Sequence, residues 1–185
     1  MSEAAIEKSD CDAVVHATRN WVERAVIGLK LCPFAKAVHV NGQIRYAVSL
    51  ARTPEDLQTD LIRELQFLVD ADPAVTDTTL LIHPHVLADF LDYNDFLEVA
   101  DAVVVGLHLE GEIQIASFHP QYQFANTTAD DIGNCTNRSP YPTLHLLREA
   151  SVARAVAAFP DAGDIFDKNI ATMNAIGREG WHKLR

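Results

Sequence analysis

The sequence predicts an α/β or α+β domain in which helices cover a small sheet. Helical and β-type apolar periodicities alternate along the chain. Apolar residues make up 48% of the sequence and charged residues 22%, as is usual for a globular protein. Because no repeat or Gly/Ser-rich linker interrupts the 185 residues, we expect residues 1–185 to form a single domain.

The first part of the chain predicts two helices that flank a strand. A stripe of apolar residues with a 3.6-residue period indicates a helix over residues 9–31, which Pro33 ends. Alternation of apolar and polar residues predicts a strand over 44–50. Thr53 followed by Pro54 is typical of a helix start, with threonine as the N-cap. The apolar stripe of this second helix comprises Leu57, Leu61, Leu65 and Leu68.

The middle of the chain predicts two more strands and another helix. Residues 78–82 and 112–118 are rich in β-forming residues and form the predicted strands. Between them, a helix is expected over about 86–100. Residues 103–109 fit either the end of that helix or the start of a hairpin.

The last third of the chain predicts a long loop and two helices. Residues 120–138 lack a regular pattern, and loops of this length are often functional. Ser139 and Pro140 fit the N-cap and first position of a helix over 139–159. A final helix is expected over about 164–176.

Composition excludes several classes of protein. Fifteen Lys and Arg against 26 Asp and Glu give a net charge of −11, which argues against a nucleic-acid or anionic-membrane binder. The chain contains no apolar run long enough for a membrane span and begins without a secretory pattern. The three cysteines form a sparse, odd set, which favours a cytoplasmic location. The composition is compatible with a homo-oligomer.

Two segments of the chain nearly lack acidic residues. Residues 28–52 contain none, and residues 113–148 contain only Asp130 and Asp131, although both segments keep basic residues. Excluding carboxylates favours the binding of an anion, because nearby acids would repel it. The alternative is that both segments contain buried strands and therefore few charges.

Two predicted strands end in the same dipeptide, His83-Pro84 and His119-Pro120. If helical connections make these strands parallel, both histidines lie at one carboxyl edge of the sheet, where ligands of open α/β sheets bind. The alternative is that each proline only terminates its strand.

The predicted helix start near Ser139 suggests an anion site. Free N–H groups and the helix dipole favour an anion there, and guanidinium groups can hold a phosphate or carboxylate. The alternative is that Arg148 pairs structurally with Asp130, Asp131 or loop carbonyls, and that His145 is a core residue. The predicted substrate-binding residues are Arg138, Arg148, Ser139, Asn137, His145, Tyr122, Lys36 and His83.

Cys32 and His119 are the predicted catalytic residues. Cys32 lies in the acid-free segment near Lys36, which would lower the pKa of its thiol, and His119 could serve as its base. The alternative is a buried thiol with no reactivity. No zinc-type spacing occurs, so we predict no metal site, although five residues could assemble one. These are Cys32, His83, His85, His119 and Cys135.

Several segments resemble a bacterial family known only as a domain of unknown function. They are Gly28-Leu-Lys-Leu-Cys-Pro-Phe-Ala35, Ser117-Phe-His-Pro-Gln-Tyr-Gln-Phe124, Asn137-Arg-Ser-Pro-Tyr-Pro142 followed by His145-Leu-Leu-Arg148, and the ending from Asn169 to Trp181. The resemblance spans nearly the whole chain and implies one compact domain, but neither a reaction nor a substrate.

The sequence as a whole therefore favours an enzyme acting on a small anionic substrate by acid/base or thiol chemistry at the sheet edge. The alternative is a non-catalytic protein that uses the same pocket to bind a metabolite or a metal. No cofactor can be assigned.

Overall fold

The computed structural model describes residues 3–158 and 164–184, with side chains described from residue 9 onward. Helices and strands alternate over most of the chain, which confirms the mixed α/β class. The helices are α1 (Glu3–Trp21), α2 (Ala35–Val40), α3 (Pro54–Asp70), α4 (Phe90–Gly106), α5 (Glu149–Ala158) and α6 (Ile165–His182). The strands are β1 (Ile44–Val48), β2 (Thr78–Ile82), β3 (Ile113–Phe118) and β4 (Thr143–Arg148).

The four strands form one sheet in the order β1-β2-β4-β3. β1 and β2 are parallel, and β4 is antiparallel to both β2 and β3. β1, β2 and β3 therefore run in the same direction. Their carboxyl ends meet at one edge, and His83 and His119 follow β2 and β3 there, as the sequence predicts.

The helix predicted over residues 139–159 is wrong in its first half. Residues 143–148 form β4, and the helix α5 begins only at Glu149. The predicted end, residue 159, lies outside the described residues. β4 is central, and its hydrogen bonds to strands on both sides outweigh the local resemblance of Ser139-Pro140 to a helix start.

Helices α3 and α4 cover one face of the sheet. Thr53 caps α3 as predicted, because its Oγ1 accepts a hydrogen bond from the amide of Asp56 at 3.2 Å. α4 begins after the N-cap Asp89 and extends to Gly106, so it includes most of the ambiguous segment 103–109. The four leucines of the α3 stripe, Leu57, Leu61, Leu65 and Leu68, are fully buried.

The opposite face packs against α1 and α6. The first helix begins before residue 9, continues as a π-helical segment over Val22–Ile27, and ends earlier than the predicted residue 31. α6 extends beyond the predicted residue 176 to His182, across a kink at Gly177, whose φ of 60° suits glycine. Within the described ranges, no helix is both long and apolar enough to cross a bilayer.

Candidate functional site

Five aromatic and histidine side chains pack together at the carboxyl edge of the sheet. This carboxyl-edge cluster comprises His83, Phe90, Tyr93, His119 and Tyr122. The rings of Tyr93 and His119 are 5.0 Å apart, and those of Tyr93 and His83 are 5.7 Å apart. Both histidines are fully buried. The cluster therefore belongs to the core on the α4 side of the sheet.

His119 uses both ring nitrogens to hold backbone groups. Its Nδ1 accepts a hydrogen bond from the amide of Gln121 at 3.0 Å, so the proton of the neutral ring is on Nε2. Nε2 lies 3.2 Å from the carbonyl oxygen of Leu87 and donates to it. Burial lowers the pKa of His119 and favours this neutral form. The ring positions a turn in which Leu87 has a φ of 56°.

His83 holds the same turn through the carbonyl of Val86, the residue before Leu87. Its Nδ1 lies 3.1 Å from the carbonyl oxygen of Val86, which can only accept, so Nδ1 carries the proton. Nε2 is sealed from solvent and has no partner among the described residues. Burial lowers the pKa of His83 to about 4. The two His-Pro motifs thus fix the adjacent carbonyls of Val86 and Leu87.

Arg138 stabilises the long loop instead of facing an empty pocket. Its Nε donates to the carbonyl oxygen of Tyr122 at 3.1 Å, and its Nη2 donates to that of Ala129 at 2.8 Å. The loop also contains a 3-10 helix over Ile132–Asn137. The guanidinium therefore crosslinks two parts of the loop.

Asn137 and Ser139 likewise donate to backbone carbonyls. Asn137 Nδ2 lies 3.3 Å from the carbonyl oxygen of Ser117, at the end of β3. Ser139 is fully buried, and its hydroxyl donates to the carbonyl oxygen of Tyr141 at 2.6 Å. Ser139 therefore shapes the entry into β4 and does not cap a helix.

Arg148 caps the C-terminus of α3. Its Nη2 donates to the carbonyl oxygens of Leu68, Ala71 (2.7 Å) and Thr76 (3.4 Å). The pairing is structural, but its partners are carbonyls at the end of α3 and not Asp130, Asp131 or the carbonyls of the long loop that the sequence suggested. Since β4 replaces the expected helix start, the helix N-terminus that was predicted to hold an anion beside Arg138 and Arg148 is wrong.

A cavity of about 570 Å³ lies on the other face of the sheet, between the strands, the segment that follows α1, and α5. Most of its wall is apolar, and the rings of Trp21 and Phe118 meet there in a T-shaped contact at 5.2 Å. Its polar lining residues are Cys32, Asp77, Thr78, Gln114, His145, Arg148, Ser151 and Arg154.

The two predicted catalytic residues lie on opposite sides of the sheet. Cys32 lines the cavity, packed on the side of the sheet that α1 and α6 cover. His119 is not among its lining residues and contacts Phe90 and Tyr93 on the α4 side. The structure thus does not bring His119 to Cys32. Lys36 is exposed on α2 and is not part of the wall.

Cys32 presents a neutral thiol in the cavity wall. Burial raises the pKa of its thiol, and hydrogen bonds from the backbone amides of Phe34 and Ala35 offset part of that effect. Because the net shift is upward, the protonated thiol predominates at neutral pH.

His145 is the histidine that lines the cavity. Its Nε2 lies 2.7 Å from the hydroxyl oxygen of Thr78, and the same hydroxyl donates to the carbonyl oxygen of Leu146 at 2.7 Å. Its ring is 6.0 Å from that of Phe118. Burial lowers the pKa of His145 to about 4, so the ring is neutral at pH 7.

Three polar residues at one end of the cavity escaped the sequence analysis. The hydroxyl of Ser151 donates to Asp77 Oδ1 at 2.6 Å, and Arg154 Nη2 donates to the same hydroxyl at 2.9 Å. Arg154 is exposed on α5. No local pattern could reveal this group, because Asp77 precedes β2 and the other two follow β4.

The residues considered for a metal site do not converge. In the portion of the chain that the structure describes, no group of three His, Cys, Asp or Glu side chains is arranged to hold a metal ion. His83 and His119 each direct a ring nitrogen at a backbone carbonyl.

Comparison with known proteins assigns the chain to a family. No curated protein and no solved structure matches it significantly. The family model described as "Protein of unknown function (DUF1415)" matches residues 13–183. This match covers nearly the whole chain, as the resemblance of its motifs implies, and the chain therefore belongs to the DUF1415 family.

Proposed function

We propose that this protein binds a small, mainly apolar molecule in the cavity between the sheet and α5. The observation that carries the proposal is the cavity itself. Its volume of about 570 Å³ lies within the range of roughly 300–1,000 Å³ that is usual for small-molecule sites. Its largely apolar wall with a few polar groups is also typical of such sites.

The charges around the cavity favour a ligand that carries an anionic group. Two guanidinium groups, Arg148 and Arg154, line it with one carboxylate, Asp77, so the charged lining has a net charge of +1. Arg148 Nη2 donates hydrogen bonds to the carbonyls at the end of α3, whereas Arg154 lies exposed at the rim of the cavity. We therefore place the anionic group beside Arg154, and the apolar body against Trp21 and Phe118.

The position of Cys32 supports a second candidate function, an enzyme that uses this thiol as a nucleophile. The sulfur lines the cavity, and two backbone amides would stabilise a thiolate there. The raised pKa of the thiol and the low pKa of His145, which makes it a weak base, favour binding over catalysis. The proposal includes a cytoplasmic setting, as the sparse cysteines suggest.

Titration calorimetry with octanoate tests the proposed function. Ala116 lines the cavity on β3, so Ala116→Trp should fill part of the space and weaken octanoate binding at least tenfold. The matched control is Ala153→Trp, because Ala153 is exposed on α5 and is not a lining residue. If octanoate binds the wild type no more tightly than it binds Ala116→Trp, the proposed function is wrong.

Alkylation of Cys32, together with octanoate binding to Cys32→Ala, distinguishes the two candidate functions. A binding protein should retain its affinity for octanoate in this variant, since the thiol contributes only a small part of the wall. If Cys32 is instead a nucleophile, an uncharged thiol reagent such as iodoacetamide should modify it in the native protein and octanoate should slow that reaction.

A further inference from the structure

Two hydrogen bonds fix the position of the proton on His145. A carbonyl oxygen can only accept, so the hydroxyl of Thr78 must direct its proton to Leu146. The hydroxyl oxygen can then only accept from the imidazole, which means that Nε2 of His145 carries the ring proton. Nδ1 of the neutral ring is therefore a lone-pair acceptor.

That acceptor faces the cavity. His145 lines the cavity, and its Nδ1 has no hydrogen-bond partner among the residues that the structure describes. It is also absent from the set of unpartnered polar atoms that are sealed from solvent. That set comprises Trp21 Nε1, Tyr46 Oη, Thr79 Oγ1, His83 Nε2 and Arg148 Nε. A molecule in the cavity can thus reach Nδ1, whereas it cannot reach Nε2 of His83.

We infer that the cavity selects ligands with a hydrogen-bond donor, such as a hydroxyl or amide N–H group, that bonds to Nδ1 of His145. This inference rests on the proposed function and adds the chemical class of the ligand. A site that hydrogen-bonds one group of its ligand discriminates strongly against an analogue without that group, because the acceptor in the site is then left unpaired. Together with an anionic group at Arg154, the donor points to a hydroxylated or amide-bearing carboxylate with an apolar body.

A pair of isomers tests the inference. 1-Octanol and 1-methoxyheptane have the same atoms and nearly the same length, but only the alcohol can donate a hydrogen bond. We expect wild-type protein to bind 1-octanol at least tenfold more tightly than the ether in titration calorimetry. His145→Phe should remove this preference, and Ala153→Trp, a change outside the cavity wall, should retain it.

The outcomes separate the inference from the proposed function. If alcohol and ether bind the wild type with equal affinity, the inference is wrong and the proposed function stands. If neither isomer nor octanoate binds, both are wrong. A measurement on the wild type avoids dependence on the folding of His145→Phe: in ¹⁵N spectra of the imidazoles, 1-octanol should shift the Nδ1 resonance of His145 and the ether should not. An unchanged resonance with bound alcohol would contradict the inference.

Discussion

The carboxyl edge of the sheet and the cavity beneath α5 both place histidine and arginine among apolar residues, but they use them differently. At the edge, His119 and Arg138 direct their N–H groups to backbone carbonyls of the adjacent loops. In the cavity, Nε2 of His145 donates to the hydroxyl of Thr78, and Nδ1 is left accessible to a ligand. Residue type alone thus does not mark a binding site. An accessible polar atom without a partner does.

The largest expected effect comes from the carboxyl edge. In His119→Leu, the carbonyl of Leu87 and the amide of Gln121 both lose a part-buried hydrogen bond. We expect the free energy of unfolding to fall by about 2–4 kcal/mol, measured by urea denaturation. The affinity for octanoate should change less than twofold. A variant as stable as the wild type that no longer binds octanoate would reverse the roles of the two regions.

Acid should destabilise the protein through histidines of both regions. The pKa values of His83 and His145 are lowered to about 4 in the folded protein, against about 6.5 when the chain is unfolded. The unfolded state therefore binds more protons between these values, so stability is full above pH 6.5 and is lost as the pH falls towards 4.

The expected loss is on the order of 2–3 kcal/mol for each of these histidines between pH 7 and pH 4. Urea midpoints measured across this range should show it, and His83→Phe and His145→Phe should each flatten the pH dependence. Bound 1-octanol should shift the loss to lower pH in the wild type but not in His145→Phe. A wild-type midpoint that stays constant between pH 6.5 and pH 4.5 would contradict the burial of these rings as neutral groups.

Arg138→Met should have a smaller effect on stability. The variant loses the hydrogen bonds to the carbonyls of Tyr122 and Ala129 but keeps most of the aliphatic contact of the side chain. We expect a loss of about 1 kcal/mol in the free energy of unfolding and unchanged octanoate affinity. Weaker octanoate binding at unchanged stability would restore Arg138 as a ligand residue.

Arg154→Met should show the smallest effect. In contrast to Arg138→Met, it should change ligand affinity and leave stability unchanged. Arg154 is exposed at the rim, so its attraction for a carboxylate is screened by solvent. We expect octanoate affinity to fall by roughly 2–5-fold, with no change for 1-octanol and none in the urea midpoint. Equal losses for octanoate and 1-octanol would show that the side chain contributes packing and not charge.

Local patterns were sufficient for much of the fold. The cap at Thr53 and the leucine stripe of α3 are encoded within a few residues, and both predictions are confirmed. The shared edge of His83 and His119 followed from the helical connections between strands. β4 could not be recognised, because its partners on β2 lie more than 60 residues away and Ser139-Pro140 resembles a helix start.

The site was harder to predict for the same reason. Cys32 and His145 were both among the candidate residues, yet their common cavity exists only because residues 143–148 form a strand that places His145 on that face. The rim residues Ser151 and Arg154 carry no motif. Whether a side chain has a hydrogen-bond partner depends on distant segments, so the sequence could not distinguish His119 from His145.

Amide chemical-shift mapping with octanoate tests most directly whether the cavity, and not the carboxyl edge, is the binding site. In a ¹⁵N-labelled sample, we expect the shifted resonances to belong to residues 21–38, 114–118 and 145–158, which contain most of the cavity wall. Resonances of residues 83–90 and 119–138 should stay in place. Shifts confined to these last two segments would contradict binding in the cavity and would place the ligand at the strand-end histidines.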